Sequence, residues 1–473
     1  MGSKIIISHN YYVFTMNVFY LISLLHKTFQ LNIWDLNYIY SNPHSIRRYQ
    51  AIGSAFPIKQ GIIPRIGSFF YHMLLGIYHL ATVRNRSITP GGVFLFAITK
   101  NQTDSLRPLL GQLEKSYLIK DRHNVHEDIA FPAFWAYIIS VLYLPVLCYQ
   151  FWRKRNALDI YAICRYRLDG YWLAYGYYLW ARLWLRRKRP LAVIFSNDHT
   201  MECRAMNQAA REEGIITIYI QHASVSEEFP VLAFDYAFLD GIDALDIYER
   251  IGSSSTIVYL VGICKQDHYY HRINKNQVAQ SICVCTNILD PIAQVNAMCK
   301  QLHQKFPQAV LHLRPHPADK RLDEWQQIAE HNTMSLSDSR RENALECLSR
   351  VDVVIAGNSS IHVDAALLNV YPIFYNFSQN SEHQTYTFLQ RKLCDSAETL
   401  DELMVLLENI FKYKPEIRNR AKPYCATINT HYDGRSTELI GSLARTVLSG
   451  GKMPINGWQK LDKYTLNAYQ LSC

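Results

Sequence analysis

The sequence predicts an α/β protein built from two doubly wound, Rossmann-like domains. From Val93 onward, short β-branched and aromatic runs alternate with segments of helical spacing, which is typical of parallel sheets covered by helices on both faces. The 473 residues exceed the usual size of one hydrophobic core. Polar clusters follow the predicted strands, where open parallel sheets bind ligands. We therefore expect two domains that face a cleft.

The first domain is predicted for residues 91–262, with strands at 93–98, 191–195, 215–220 and 236–239. Helices are predicted at 105–118 and 201–213, the second ended by Gly214, and an aromatic helical insertion at about 122–187. An aromatic and basic helical region, residues 1–90, precedes this domain. The polar segment 262–276 is the predicted linker to the second domain.

The second domain is predicted for residues 263–445, and residues 446–473 form a predicted C-terminal tail. Its strands are expected at 281–285, 310–313, 334–336, 351–355 and 371–374. Its helices are expected at about 291–304, around Trp325, and at 342–349, 362–368 and 399–411.

Composition places the chain among folded globular proteins, because 49% of its residues are hydrophobic. The net charge is +9, and a basic run at 186–189 follows Trp184 in a region rich in aromatic residues. This pattern fits an anionic membrane surface or a polyanionic substrate, and it fits equally a solvated helix end whose aromatic residues face the core. No nucleic-acid recognition motif is present, so we expect no nucleic-acid partner.

The apolar segment 129–151 carries no charge and is followed by Arg153, Lys154 and Arg155. Three interpretations stay open: a transmembrane span, a helix or hairpin on a membrane surface, and a buried core helix. The start of the chain lacks the basic region and the small-residue cleavage site of a signal peptide. We expect peripheral membrane contact at the cytoplasmic face.

The 11 cysteines form no CxxC pair. Cys283 and Cys285 are two apart on a predicted strand and should face the same side. Scattered thiols of this kind are typical of a reducing compartment, which favours the cytoplasm over a secreted, disulfide-bonded protein. No cluster has metal-ligand spacing, so no metal ion is expected.

The motif LHLRPHP follows the predicted strand at 310–313. Pro315 and Pro317 prevent helix formation around His316. Arg314 lies two residues earlier in an extended segment and should project to the same side as His316. A guanidinium and an imidazole placed together could neutralise a phosphate, with the histidine donating a hydrogen bond or a proton to the leaving group.

The motif GNSSIHVD follows the strand at 351–355. Gly357 permits close backbone approach, while Asn358, Ser359 and Ser360 are expected to cap a helix whose amino end favours an anion. Asp364, one turn later, could accept hydrogen bonds from a ribose or a base. An ordinary helix cap is the alternative interpretation of these serines.

Together, these two motifs resemble the C-terminal half of GT-B glycosyltransferases and glycerophosphotransferases that build bacterial capsules, teichoic-acid-like polymers and sialylated or Kdo-containing glycans. The resemblance covers about residues 190–415. It implies that His316, Ser359, Ser360 and Asp364 contact the phosphate and nucleoside of an activated donor. In the sialyltransferase branch, similar motifs hold the phosphate of CMP.

The first domain must then supply a base for the acceptor hydroxyl. His222 in IQHAS resembles the histidine of a WHG-type turn that acts as base in the polymerase branch, although Ala223 stands where that pattern has glycine. Asp198 in SNDHT is the rival, since sialyltransferase-like enzymes use a carboxylate of the N-terminal domain. Asp240 in LDG is the third candidate. A helix cap for Asp198 and a turn residue for His222 are the structural alternatives.

We therefore predict an inverting glycosyltransferase that moves a sugar from a CMP- or other nucleotide-sugar donor to a cell-surface glycan or lipid-linked acceptor. The predicted catalytic residues are Asp198, His222 and His316, and the predicted donor-binding residues are Arg314, His316, Gly357, Asn358, Ser359, Ser360 and Asp364. No cofactor beyond the donor is expected. A CDP-glycerol-type glycerophosphotransferase, a nucleotide-sugar epimerase and a non-catalytic glycan-binding protein at the membrane stay open as alternatives.

Overall fold

The computed structural model describes residues 20–41, 61–82, 88–121, 129–378, 386–450 and 457–472. Residues 1–19 and 42–60 of the predicted N-terminal region lie outside this description. The chain divides into two compact units, residues 1–219 and 220–473. The boundary between these units falls within the strand Ile216–Ile220, and the domain bounds 91–262 and 263–445 stay a prediction.

The first unit contains short parallel strands that are buried along most of their length. They are β1 (Val93–Ala97), β2 (Ser116–Lys120), β3 (Ile129–Ala130), β4 (Ala192–Phe195) and β5 (Ile216–Ile220). Their pairing order is β3-β2-β1-β4-β5, and Leu95 stands opposite both Leu118 and Ile194. The nearly continuous apolar sequence of β1 and β4 is what a parallel strand covered on both faces requires.

Helices of the first unit form a layer around one long central helix. They are α1 (Ile33–Leu36), α2 (Tyr38–Ser41), α3 (Ile62–Thr82), α4 (Lys100–Leu106), α5 (Phe134–Leu142), α6 (Leu144–Lys154), α7 (Ile160–Lys188) and α8 (Met201–Glu212). Residues 20–29 are also helical. Helix α7 begins where the Asp159 side chain accepts a hydrogen bond from the Ala162 N–H (2.9 Å). It ends at Arg189, which adopts a left-handed conformation.

The inner side of this layer is tightly packed. A Cβ atom added at Gly176 of α7 would lie 1.9 Å from the Ala136 carbonyl oxygen of α5. At the same crossing, the Ser140 hydroxyl donates to the Leu173 carbonyl (3.1 Å). Phe69 of α3 stacks on Trp172, with ring centroids 3.9 Å apart. Three helices therefore share one aromatic core.

The second unit contains the remaining strands of two sheets. These are β6 (Tyr236–Leu239), β7 (Ile257–Leu260), β8 (Ser281–Cys285), β9 (Val310–Arg314), β10 (Ser335–Leu336), β11 (Val353–Ala356), β12 (Tyr371–Tyr375), β13 (Asp395–Ala397), β14 (Trp458–Lys460) and β15 (Asn467–Leu471). Strand β7 pairs in parallel with β6 and β15, and β15 pairs antiparallel with β14. The predicted C-terminal tail therefore adds two strands beside β7.

The six-stranded parallel sheet has the order β10-β9-β8-β11-β12-β13. Strands β9 and β11 flank β8, with Cys283 opposite both His312 and Val354. Because all strands are parallel, the segments that follow β8, β9 and β11 leave the sheet at the same edge. The two motifs RPHP and GNSS therefore lie at one edge, separated by the loop after β8.

Helices of the second unit connect and cover these strands. They are α9 (Ile242–Ile251), α10 (Ile292–Lys305), α11 (Leu322–His331), α12 (Ala344–Leu348), α13 (Ile361–Leu367), α14 (Leu400–Lys412) and α15 (Ser436–Leu448). The structure confirms two Rossmann-like parallel sheets and, within one or two residues, most of the predicted strands. Residues 264–272, within the predicted linker, form a 3₁₀ helix rather than an irregular connection.

The helix predicted at 105–118 is wrong. Helix α4 ends at Leu106, a 3₁₀ turn covers Arg107–Gly111, and β2 begins at Ser116. Pro108 lacks a backbone N–H and stands at the start of the turn, where it interrupts the helical hydrogen bonds. The apolar residues Leu118 and Ile119 belong to the strand β2 and are buried there. Their spacing from the preceding leucines also fits a helix, so the sequence pattern did not distinguish the two.

The uncharged segment 129–151 also differs from a single helix. It contains β3 and then α5 and α6, which are bent by 65° at Tyr143 before Pro145. Among the residues that the structure describes, no single helix is long and apolar enough to cross a membrane, while this bent pair together has the required length and composition. The predicted helical insertion thus begins with a strand at the edge of the sheet.

The cysteines of the described residues are free thiols. Cys283 and Cys285 do face the same side of β8, with their sulfur atoms 3.6 Å apart. The Cys347 sulfur lies 3.7 Å from that of Cys283.

Candidate functional site

A small pocket, partly open to solvent, lies in the second unit. Its walls come from the turn after β5, the turn after β6, the start of the 3₁₀ helix 264–272, and helix α13. The polar residues that line it are Gln221, His222, Ser224, Asp240, Asp243, Lys265, Ser360 and Asp364. Segments that follow β5 and β6 and the segment that follows β11 therefore meet around one cavity.

Gln221 holds two of these walls together. Its backbone N–H donates to the Phe238 carbonyl (3.1 Å), and its side-chain oxygen accepts a hydrogen bond from the Asp240 N–H (3.0 Å). Its side-chain amide donates to the Ala223 carbonyl (3.0 Å). The glutamine thus positions the predicted base His222 and the turn that carries Asp240 on one wall of the pocket.

The Asp240 turn is held by the segment that passes beside it. A Cβ atom at Gly241 would lie 2.4 Å from the Pro423 carbonyl oxygen, so only glycine fits this approach. The Asp240 carbonyl accepts hydrogen bonds from the N–H groups of Ala426 (2.8 Å) and Gly262 (3.1 Å). Burial raises the pKa of the Asp240 carboxyl well above its usual range, and the nearby Asp364 raises it further, while Lys265 opposes both.

Lys265 provides the positive charge of the pocket. Its ammonium lies 3.1 Å from Asp364 Oδ1, and the Gln266 amide donates to the same oxygen (2.9 Å). Burial alone lowers the pKa of the lysine, but the carboxylates of Asp364 and Asp240 outweigh it, so its pKa lies above the ordinary value. Asp364, predicted to bind a nucleoside, therefore holds this lysine and glutamine.

The GNSS turn contributes Ser360 to the pocket. Asn358, Ser359 and Ser360 are half-buried, and the Ser359 hydroxyl oxygen lies 3.4 Å from the Ile361 N–H, which donates to it. The turn leads into α13, which has only seven residues. Gly357 has no left-handed φ angle, and a Cβ atom there would meet only ordinary contacts, 3.5 Å to the Tyr375 carbonyl oxygen and 3.9 Å to Asp290.

His362 fixes the same turn from inside. Its Nε2–H donates to the Gly357 carbonyl (2.9 Å), and the side chain is fully buried. Burial lowers the pKa of this histidine to about 4, so it is neutral near pH 7. The sequence motif contained this residue, but our interpretation gave it no role.

The RPHP loop places its two predicted phosphate-binding groups in different surroundings. The Ala318 N–H donates to His316 Nδ1 (3.1 Å), so the neutral ring carries its proton on Nε2, as a donor. The His316 ring is exposed to solvent, and the protein beside it removes part of its hydration, which lowers its pKa. Arg314 lowers this pKa further, and Asp319 opposes both effects. The Arg314 guanidinium is instead buried and donates to the Ser337 hydroxyl (2.6 Å) and the Glu342 carbonyl (3.1 Å).

A clamp joins this loop to the loop after β8. The Arg321 guanidinium donates to the Asp319 carboxylate (2.8 Å) and to the Ile288 carbonyl (2.8 Å). The Trp325 indole N–H donates to the same carboxylate (3.0 Å). Asp319 and Arg321 thereby hold the backbone on which His316 is carried, a role for which the sequence offered the Asp-x-Arg spacing as a signal.

Asp198 lies in the first unit, at the carboxyl end of β4. Its side chain is buried, and Oδ1 is 2.9 Å from His199 Nδ1. The Asn197 side-chain amide donates to His199 Nε2 (3.1 Å), so His199 Nδ1 carries the proton and donates to Asp198. A catalytic role for Asp198 stays a prediction, and His199 is its hydrogen-bond partner.

Within the described stretches of chain, no group of three or more His, Cys, Asp or Glu side chains is arranged to hold a metal ion. Sequence reasoning gave no role to Gln221 and Lys265, which line the pocket, or to Gln266, whose side-chain amide donates to Asp364. A signal for Lys265 existed, because a lone lysine follows directly on the apolar strand and turn YLVGIC.

No protein-family model matches this chain, and no curated protein matches it by sequence. Solved structures do match its fold. A protein of Listeria monocytogenes assigned as a UDP-N-acetylglucosamine 2-epimerase is 11% identical, with a TM-score of 0.51 over 77% of this chain and 99% of that one. The UDP-GlcNAc 2-epimerase of Neisseria meningitidis, bound to UDP-GlcNAc, is 12% identical, with a TM-score of 0.50 over 76% and 100% of the two chains.

The wall teichoic acid polymerase TagF is 11% identical, with a TM-score of 0.48 over 81% of this chain and 98% of that one. At these identities the likeness concerns the fold. The chain thus has two Rossmann-like domains of the GT-B type.

Proposed function

We propose that the chain is a glycosyltransferase that moves a sugar from a nucleotide-activated donor to an acceptor hydroxyl. The observation that carries this proposal is the pocket in which His222 and Asp240 line one wall and Lys265, Ser360 and Asp364 line the other. Such a pocket combines a base for an acceptor with hydrogen-bond donors for a leaving phosphate, which are the two requirements of direct displacement. The bound UDP-GlcNAc of the Neisseria structure supports a nucleotide-sugar as the donor class.

In this mechanism, His222 accepts the proton of the acceptor hydroxyl as its oxygen attacks the anomeric carbon. The bond between that carbon and the phosphate oxygen breaks, and its electron pair stays on the phosphate. Lys265 and Ser360 stabilise the charge that develops there, and Asp364 orients Lys265. His316 does not line this pocket, and its proposed role is to offer the Nε2–H as a further donor from the neighbouring loop at the same sheet edge. Attack on the face opposite the leaving group inverts the transferred centre.

The donor is a CMP- or other nucleotide-sugar, and the acceptor is a cell-surface glycan or a lipid-linked glycan. The enzyme acts in the cytoplasm at the inner face of the membrane, where such acceptors are assembled. The mechanism needs no metal ion and no cofactor besides the donor. The donor-binding roles of Gly357, Asn358 and Ser359 belong to the same proposal. Arg314, whose buried guanidinium donates to Ser337 and Glu342, acts in it by holding the loop that carries His316.

The test begins with a thermal-shift screen of CMP, CDP and UDP, since a nucleotide that binds the folded chain raises its unfolding temperature. Nucleotide release from sugar donors is then measured with and without glycan acceptors. We expect His222→Ala and Lys265→Met to reduce acceptor-dependent turnover by roughly 100-fold or more. Lys275→Met, which removes an exposed lysine near the same 3₁₀ helix, is the matched control. Wild-type turnover in both pocket variants would contradict the proposal.

A nucleotide-sugar epimerase is the second candidate, favoured by one observation. The carboxyl groups of Asp240 and Asp364 both interact with Lys265 in the pocket, and an epimerase needs an acid and a base near one sugar carbon. An epimerase would convert the donor without any acceptor and would incorporate deuterium from D₂O at the inverted carbon. A transferase would release nucleotide only with acceptor and leave that carbon unlabelled.

A further inference from the structure

We propose that the first unit binds the headgroup region of an anionic lipid bilayer through the outer face of helices α3, α5 and α6. This surface, called the outer helical face below, lies in the first unit and not in the pocket of the second. It deepens the membrane location given in the proposed function, on which it rests. It is tested without measuring activity, so that its failure and the failure of the proposed reaction are distinguishable.

Helix α3 presents an apolar stripe to solvent at helical spacing. The stripe consists of Ile63, Ile66, Phe70, Leu74 and Ile77, of which Ile63 is 82% exposed and Leu74 59% exposed. Such spacing, with steps of three or four residues, places all five side chains along one side of the helix. The packed side of the same helix carries the fully buried Phe69, so the exposure of the stripe does not reflect a loosely placed helix.

Helices α5 and α6 continue this apolar surface. Their exposed side chains are Trp135, Ile138, Val141, Leu142, Leu144, Tyr149 and Trp152, with Leu142 at 76% and Trp152 at 59%. Helix α5 packs beside α3, because a Cβ atom at Gly76 would lie 3.1 Å from Phe134 Cβ and the Phe69 and Tyr137 rings are 4.9 Å apart. Large apolar groups exposed on adjacent helices are characteristic of an interaction surface.

The charges of these helices select the partner. Residues 62–82 and 134–155 contain no Asp or Glu, whereas Arg153, Lys154 and Arg155 are exposed at the end of α6. The Arg155 guanidinium lies over the Trp152 ring, 4.6 Å from its centroid. Tryptophan and tyrosine beside arginine and lysine, on a face without carboxylates, suit the headgroup level of a bilayer with negative charge.

The same helices lie on the membrane rather than crossing it. Helices α5 and α6 are bent by 65° from each other, and their inner sides carry buried Tyr137, Ser140 and Phe151 in contact with the protein core. A two-fold dimer through this face would bring two acid-free basic surfaces together without counter-charges. Anionic lipid supplies those counter-charges, which favours it over a second copy of the chain.

The experiment is flotation of the full chain with vesicles of phosphatidylcholine alone and of equimolar phosphatidylcholine and phosphatidylglycerol. We expect the wild type to float with the anionic vesicles. Leu74→Asp combined with Leu142→Asp should reduce the bound fraction at least tenfold. Arg153→Glu combined with Lys154→Glu should remove the preference for anionic vesicles, since each basic residue near such a surface changes binding roughly fivefold.

The matched control is Val405→Asp combined with Tyr413→Asp, which places the same charges at exposed apolar positions of the second unit (55% and 65% exposed). It should float like the wild type. Circular dichroism and thermal unfolding verify that each variant is folded. Equal flotation of the wild type and the Leu74/Leu142 variant overturns the proposal. A wild-type dimer that fails to float, and that this variant converts to monomers in gel filtration, overturns it in favour of a second copy.

Discussion

The outer helical face of the first unit and the pocket of the second unit depart from the usual distribution of residues in opposite directions. The first exposes Ile63, Leu74 and Leu142, while the second buries the ionisable groups Asp240 and Asp364. Buried polar groups and large exposed apolar surfaces are the informative exceptions in a folded protein. Exposing large apolar side chains and burying ionisable ones both lower the stability of the folded chain. Each of these two regions is therefore better explained by binding than by folding.

The first prediction has the largest expected effect and tests whether the inner side of the helical layer is tightly packed. If it is, the apolar exposure of the outer helical face is not the result of loose packing. Gly176→Ala places a methyl group 1.9 Å from the Ala136 carbonyl oxygen and 2.3 Å from the Ser140 hydroxyl, so α5 and α7 must separate. We expect a loss of more than about 4 kcal/mol in the free energy of unfolding, or failure to fold. Chemical denaturation measures it.

The control for this substitution is Gly67→Ala on α3, where an added Cβ atom has nothing within 4 Å. Alanine is the better helix former, so this variant should be more stable by roughly 0.5–1 kcal/mol. If Gly176→Ala were as stable as Gly67→Ala, the helical layer would be loosely packed and the exposure of its outer side would lose its significance.

The second prediction separates two charged residues of one motif. Arg314→Ala leaves the Ser337 hydroxyl and the Glu342 carbonyl without their buried donor, which should cost about 1–3 kcal/mol of stability. His316→Ala removes an exposed ring that accepts a hydrogen bond from the Ala318 N–H of its own loop, and it should change stability by less than about 0.5 kcal/mol. Thermal unfolding of both variants measures the difference. Equal losses would show that the whole motif serves the fold.

The third prediction concerns the buried acid and has the smallest effect. The folded chain binds the Asp240 proton more tightly than the unfolded chain, so the associated stabilisation is complete below the ordinary pKa of 3.8 and is lost as the pH rises through the raised value. Asp240→Asn mimics the protonated side chain and removes this loss. We expect the variant to gain stability over the wild type with rising pH, by on the order of 1 kcal/mol.

Denaturation at a series of pH values between 5 and 9 checks the third prediction. Asp462→Asn, which changes an exposed aspartate of the same unit, should show no such trend. A difference between wild type and Asp240→Asn that stays constant or shrinks with rising pH would mean that Asp240 is ionised in the folded chain.

Much of the fold could be predicted because its strands are short apolar runs bounded by polar turns. Strands β6 and β11, for example, are short apolar runs whose sequences do not also show helical spacing. Residues 105–118 were misjudged because Pro108 and a 3₁₀ turn separate a helix from a strand without changing the apolar spacing. Of the site, His222, Ser360 and Asp364 were predicted and do line one pocket.

Lys265 was overlooked because its neighbours in sequence resemble a linker, and its importance arises from Asp364, 99 residues later. Arg314 was placed beside His316 by counting residues along an extended segment. Its guanidinium is instead occupied by Ser337 and Glu342, which no count within the motif could reveal.

Local chemistry alone established the parallel α/β architecture, the strand ends at which polar motifs occur, and the aromatic character of the first 190 residues, because these depend on side-chain type and short-range spacing. Which aromatic residues are buried, which lysine meets Asp364, and which arginine serves the fold depended on packing between distant segments. Burial and charge pairing are properties of neighbours in space, and only the folded chain brings those neighbours together.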